Sequence, residues 1–405
     1  MKTCSSAIPQ AGIARTSPTP DRLSSLVSWA LTLCLLVLPD VGFAQSTVVG
    51  WGDNADGQTT VPADIGDVTA IDAGSAHSIA LRSDGTVVVW GSSAYGQRSV
   101  PTGLMGVTAV AAGPNHNLAL KADGTVVQWG YNADANTPPL TLSGVTAIAA
   151  GDVHGLALKS DGTVVAWGSN THGQSSVPVD LTGATAIAAG QNHSVVLKSD
   201  GTVVAWGANN AGQSTVPAGL TGVVAIAAGS SHSLALKSDG TVVAWGENVV
   251  GQAAVPAGLA GVIAIDARAH HNLALKADDT VVAWGRNHHG QASIPTDLNG
   301  VSAVAAGGGH SLALQKRLTP EIAISDLIAH VQGQSAMHHG IRHALLAKLH
   351  DTLAALAVSD QVIACQAMQG FIDLTYAQRD KKITLVQADY MIVQSNDIRL
   401  FMGCQ

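Results

Sequence analysis

Sixteen histidines in 405 residues make metal ligation and acid–base catalysis the first chemistries to weigh. Imidazole ligates metals and titrates near neutrality. Seven of the histidines, His77, His116, His154, His193, His232, His271 and His310, recur every 39 residues, with one interval of 38. A Trp-Gly pair keeps the same rhythm at Trp51, Trp90, Trp129, Trp167, Trp206, Trp245 and Trp284. A catalytic or metal centre needs unlike groups that converge on one point. Groups repeated once per unit instead read as parts of a frame. The seven histidines are therefore expected to hydrogen-bond the backbone of their own unit, and the seven tryptophans to form core between units.

Residues that break the rhythm are the candidates for binding. Arg268 replaces a glycine, His270 precedes a repeat histidine, and Arg286, His288 and His289 fill the loop after Trp284. Asp53, Asn54 and Asp56 occupy the matching loop after Trp51, and Tyr95 and Tyr131 are the candidate aromatic anchors. Such a patch suits a carboxylate, a phosphate or a protein partner. Neighbours on a strand point to opposite sides, so His288 and His289 could chelate one metal only from a loop. His339 and His343 have the i, i+4 spacing of some zinc sites, but no third ligand or H-E-x-x-H accompanies them. They are expected to face solvent. There is no G-x-S-x-G elbow, Walker loop or dinucleotide fingerprint, and Gly307-Gly308-Gly309 belongs to a repeat turn. No catalytic residue, metal or cofactor is expected. The enzymatic alternative is a lyase or hydrolase working from the Arg/His patch.

The elements that must position these residues come from the unit itself: GVTAIAAG, two variable residues, HSLALKSDGTVVAWG, a variable loop and GQxxVP. Alternation of apolar and polar residues and β-branched runs predict strands. Asp-Gly, as at Asp84-Gly85 and Asp123-Gly124, predicts a tight hairpin. Each unit then supplies three strands and a short fourth around GQxxVP, one blade of a propeller. The first unit opens with a third strand at Thr47 and the last stops in a second strand at Gln315. Pairing of 48–62 with 301–315 would complete a seventh blade. The loop after Tyr131 lacks Gly-Gln, which predicts a distorted outer strand there, and Asp279 replaces a hairpin glycine. The expected fold is mainly β: a seven-bladed β-propeller closed between its N- and C-terminal ends, plus a small α-helical C-terminal domain.

Residues 1–44 read as a signal peptide, with Arg15 and Arg22 before an apolar run from Leu26 to Leu38 and cleavage after Ala44. An uncleaved anchor is the alternative. The propeller is expected over 45–317 and the helical domain over 318–405. In that tail Ile322, Ile324, Leu327, Ile328 and Val331 share one helix face, as do Ile341, Leu345, Leu349, Leu353 and Leu356, with further helices around 359–379 and 387–401. Cys365 and Cys404 are expected to pair in an oxidising compartment. A net charge of −8 without a basic stripe argues against nucleic acid.

The repeat wording resembles the short bacterial form of the regulator of chromosome condensation repeat, whose fold is a seven-bladed propeller. It is similar to secreted propeller-type β-lactamase inhibitor proteins, which share WGxNxxGQxxVP, although those carry aromatics where this chain has small polar residues. Nucleotide-exchanging members carry longer repeats and an inserted wedge that this sequence lacks. GIRHALLAKL, FIDLTYAQRDKKI and ADYMI in the tail resemble the FIMAH domain of secreted bacterial proteins. Together these imply a secreted, periplasmic or cell-surface monomer. It would be a non-catalytic scaffold that binds another protein or a surface component through the AAGxxH and WGxNxxG loops, without membrane contact after signal cleavage. Guanine-nucleotide exchange is the remaining alternative.

Overall fold

The computed structural model describes residues 46–131, 137–315, 320–334 and 337–404. The signal peptide expected over 1–44, with cleavage after Ala44, lies outside them.

The apolar alternation of the unit becomes a three-stranded antiparallel sheet, seven times over. Blade 1 consists of Val68–Ala73, His77–Arg82 and Val87–Gly91. Blades 2 to 6 repeat the pattern, from Val107–Ala112 in blade 2 to Val262–Arg268, His271–Lys276 and Val281–Gly285 in blade 6. Blade 7 is composite: Val301–Ala306 and His310–Gln315 take their outer strand, Thr47–Gly52, from the start of the described chain. That strand pairs antiparallel with the last, from Thr47 opposite Gln315 to Gly52 opposite His310. The first strands of successive blades contact one another around the whole ring, including blade 7 on blade 1, so they line the axis.

Between middle and outer strands the turn aspartate does more than start a hairpin. Asp84 Oδ1 accepts from both N and Oγ1 of Thr86, and Gly85 takes φ 77°. Asp279 adopts the glycine conformation, with φ 61°.

The expected fourth strand does not form among the described residues. GQxxVP forms consecutive turns in every described copy, such as Gly57–Pro62. The outer strand's free edge is covered instead by this looped segment, which the proline keeps out of a ladder by removing an N–H. The distorted strand expected after Tyr131 falls partly on residues 132–136, which lie outside the described part; residues 137–142 are irregular, with a turn at Leu140 and Thr141.

Apolar clusters sit at the junctions between blades. Ile79 and Leu81 of blade 1 pack with Val107, Ala112, Ala119 and Trp129 of blade 2. At the closure, Val48, Leu312 and Leu314 of blade 7 pack with Val68, Ala80 and Trp90 of blade 1. All seven repeat tryptophans are buried.

The helical region comprises α1 (Pro320–Gly333), α2 (His339–Ala357), α3 (Gln361–Gln378) and α4 (Leu385–Phe401). Ile324, Leu327, Val331, Leu345, Leu349, Met368 and Phe371 form its separate core. Cys365 and Cys404 form a disulfide, with Cα atoms 5.6 Å apart, that ties α3 to the chain end. His339 and His343 are exposed, their rings 5.5 Å apart. No described helix is long and apolar enough to cross a membrane.

Two outcomes follow. Removing residues 46–62 deletes a six-residue strand and the buried Trp51. Loss of a core tryptophan alone costs about 3–5 kcal/mol, so thermal denaturation of the shortened chain should show a Tm lower by roughly 10 °C or more. Cys365→Ser opens a closure spanning 39 residues. Chemical denaturation followed by far-ultraviolet circular dichroism should show the helical region losing roughly 4 kcal/mol, with the β signal unmoved.

Candidate functional site

Antiparallel pairing decides which loops share a face. His77 pairs with Gly91, so the AAGxxH turn and the WGxNxxG loop leave the blade at the same end. The same holds in blade 6, where His271 pairs with Gly285.

Those loops are held by the repeat's own polar residues. Asn54 Oδ1 accepts from Thr59 N at 3.0 Å, and Gln58 Oε1 accepts from Asp56 N at 2.9 Å. The main-chain oxygen of Gln58 reaches the next blade, where it accepts from Trp90 Nε1 at 2.9 Å and Ser78 Oγ at 2.8 Å. Ser78 Oγ in turn lies 3.0 Å from His310 Nε2. The serine's proton is committed to the Gln58 carbonyl, so its lone pair accepts from the Nε2–H of a neutral imidazole.

The histidines thus do not bond the backbone of their own blade, as the sequence suggested. Five reach 40 residues ahead, to a Ser or Asn on the neighbouring blade: His77 to Asn117, His154 to Ser194, His193 to Ser233, His232 to Asn272 and His271 to Ser311, and His310 reaches Ser78 across the closure. The neighbour's middle strand points a short polar side chain at Nε2. Burial is the main cause that pushes His77, His154 and His232 down to about 4 and His116, His193, His271 and His310 down to about 3.

One junction departs from this scheme. Gly155 replaces the Ser or Asn facing His116, whose Nε2 has no hydrogen-bond partner. The Trp167 ring has moved into the vacated space, for a Cβ on Gly155 would lie 2.3 Å from its Cζ2. Its Nε1 donates to Gln128 Oε1 at 3.2 Å in place of the usual glutamine carbonyl. Gly155, Gln128 and the loop without Gly-Gln are one coupled set of changes.

On the loop face, Tyr95 and Tyr131 are half exposed and meet edge to face, with ring centroids 5.2 Å apart. They belong to the loops of blades 1 and 2. Across the ring, His270 Nδ1 lies 3.2 Å from Glu247 Oε2, a carboxylate that also accepts from Gln252 Nε2 at 3.0 Å. Arg286 donates its backbone N–H to His270 O at 2.9 Å, and its Nε is buried without a partner. Asp53 and His289 flank Gly309: a Cβ there would lie 3.3 Å from Asp53 Cβ and 3.4 Å from His289 Cδ2. His288 and Asp56 are exposed.

Arg268 goes elsewhere. Its guanidinium points into the ring and donates through Nη2 to the Ala112 carbonyl on blade 2. Asp72 and Asp266 lie on the same inner wall of the ring, at the inner-strand position where the other five blades carry alanine. Burial pushes the Asp72 carboxyl up, and burial with the neighbouring Asp72 charge pushes Asp266 up to about 7. Sequence reasoning passed over Asp72, Asp266, Glu247, Gln128 and Gly155. Superposing the seven copies position by position exposes each as a departure, although nothing in the sequence says that the first two face one channel. No cluster of three or more His, Cys, Asp or Glu suited to a metal occurs among the described residues.

The depressed histidine pKa values fix a pH dependence. An unfolded chain binds protons at these rings near their ordinary 6.5, but the folded chain does so only near 3–4. Their contribution is complete above 6.5 and is lost as the pH falls toward 4, at about 1.4 kcal/mol per pH unit for each ring. Asp266 acts oppositely, its contribution fading as the pH rises through 7, but seven rings outweigh it. Thermal unfolding between pH 4.5 and 8 should therefore show Tm falling on the acid side. At the irregular junction, Gly155→Ser should not repair the missing bond. It forces the Trp167 ring out, and denaturant titration should show a loss of about 1–3 kcal/mol.

The family model described as the regulator of chromosome condensation (RCC1) repeat matches residues 68–97, 107–135, 145–174, 184–213, 223–252 and 262–291. No curated protein matches significantly. Among solved structures, Prp20p from Saccharomyces cerevisiae, studied for its binding to Gsp1p and histones, is similar at 20% identity and a TM-score of 0.60, over 70% of this chain and 94% of that one. The same yeast protein bound to Kap60 matches at 20% identity and a TM-score of 0.60, over 70% and 91%. Human WBSCR16 matches at 18% identity and a TM-score of 0.55, over 67% and 99%. At these identities the likeness establishes the fold alone. Six matched repeats and a ring closed by a seventh, composite blade make the chain a propeller of the regulator of chromosome condensation repeat type, followed by four helices.

Proposed function

We propose that the protein is a secreted, non-catalytic scaffold whose loop face docks another protein, with the four-helix region as a FIMAH-like appendage. The observation that carries this reading is the division of labour within each repeat. Residues that hold the ring are nearly invariant among the copies, whereas loop-tip residues differ from blade to blade. Propellers of this type include one studied for binding Gsp1p and histones. The face offers two unlike regions, the Tyr95–Tyr131 pair and the group formed by Arg286, His288, His289 and Asp53. Aromatic and arginine side chains supply most binding energy in protein interfaces. Export directed by residues 1–44 would bring the chain to an oxidising compartment, where the Cys365–Cys404 bond is stable.

Quantitative capture from extracellular and periplasmic material, on immobilised residues 45–405, tests the reading. A specific partner should be retained by the native chain and by Leu140→Ser, whose exposed side chain lies on a connection at the opposite face. Retention should fall about thirty-fold or more for Tyr95→Ser/Tyr131→Ser or for Arg286→Ala/His288→Ala, the loss expected of a hot spot. Equal retention by all variants would remove the loop face from consideration.

A further inference from the structure

Arg268 stands where the other six blades have glycine. In those blades a Cβ would lie 2.1–2.3 Å from Cε1 of the following repeat histidine. An arginine there requires the backbone to change, and it has. The inner strand of blade 6 runs one residue longer, to Arg268, which pairs with His271. The turn contracts to Ala269 and His270, and Ala269 is forced to φ 47°. Left-handed alanine is unfavourable, so the rearrangement persists only if the side chain gains something in return.

That gain lies across the axis. Blades 6 and 2 are three junctions apart in a ring of seven, and the guanidinium spans the space between them to reach Ala112 O. The inner strands line the axis, so a side chain that starts on blade 6 and ends on the inner strand of blade 2 crosses the middle of the ring. Asp72 and Asp266 each accept a backbone N–H from the next blade's inner strand, Ala112 N at 2.8 Å and Ala306 N at 2.7 Å. Ala112 is thereby gripped twice, at its N–H by Asp72 and at its carbonyl by Arg268.

We propose that Arg268 is a built-in plug that closes the axis of the ring at the loop face, seated on the Ala112 carbonyl in the longer-range field of Asp72 and Asp266, and that this seat is a guanidinium site occupied by the chain itself. The floor of the loop face is then closed, and any cationic group entering along the axis must displace Arg268. The plug stands independently of what docks on the outer loops.

Arg268→Ala keeps the Cβ that the turn already accommodates and empties the seat. The full mature chain carrying it should have a lower Tm than the native protein in sodium chloride. Guanidinium chloride at about 10 mM should then raise that Tm by about 3 °C over the same concentration of sodium chloride, while leaving the native protein unmoved. Adding Asp72→Ala and Asp266→Ala to R268A should abolish the rise. An R268A chain that gains no response to guanidinium, or keeps it without the two carboxylates, overturns the proposal. Should R268A fail to fold, R268K and R268M decide. A seat that reads positive charge gives a folded R268K of lowered Tm and a less stable R268M. A folded R268M with an unfolded R268K means that the stem alone fills the place, and the proposal fails.

Discussion

The architecture depends on a polar clamp that each blade closes on the next. One blade contributes a histidine Nε2–H and a glutamine carbonyl; the following blade contributes a Ser or Asn side chain and a tryptophan Nε1–H. At the closure these are His310, Gln58, Ser78 and Trp90. All are buried. Buried polar groups stabilise only when satisfied, so the clamp demands that each blade sit at one angle and one distance from its neighbour. The apolar clusters supply most of the driving force between blades. The clamp supplies uniqueness, because dispersion contacts between flat alanine-rich sheets would tolerate sliding.

The same constraint explains the one irregular junction. Once Gly155 removes the acceptor for His116, the tryptophan that would have bonded a glutamine carbonyl shifts onto the bare glycine, and Gln128 provides it with a new acceptor. A clamp member cannot change alone. Each repeat histidine keeps one buried ring nitrogen without a partner; at the six regular junctions it is Nδ1, and only at His116, next to the exposed Tyr131, is it Nε2. The clamp is thus broken between blades 2 and 3 alone, while the other six junctions keep its regular bonds.

A rigid frame frees the loop tips. In each regular loop the glutamine side chain and, in most, the asparagine satisfy the turn's own amides, so the variable residues carry no structural duty. Tyr95, His288 and Asp56 occur at such positions and are exposed. Arg268 differs in kind. It replaces a glycine needed for close approach, changes the turn, and places a charge inside the ring.

Much of this was legible in the one-dimensional pattern. The repeat period, the hairpin aspartates, the half-units at the two ends and the helical faces of the tail each follow from local rules of spacing and propensity. Asp279 could be read as a left-handed turn residue because Asp tolerates that conformation wherever it occurs. The short fourth strand was misread because β-branched residues in GQxxVP resemble a strand locally, whereas the loop is fixed by contacts to the next blade. The histidines were recognised as structural but given the wrong partner, for a hydrogen bond spanning 40 residues exists only once two blades stand side by side. In sequence the candidate patch reads as one group around blades 6 and 7, yet closure of the ring sends Arg268 to the axis and leaves His270 beside Glu247. The elements and their number follow from local windows, since each element is encoded within some 40 residues. Tertiary structure alone decided which side chains meet, because every meeting that matters, from His310 with Ser78 to Arg268 with Ala112, joins different blades, and only a closed ring makes those neighbours.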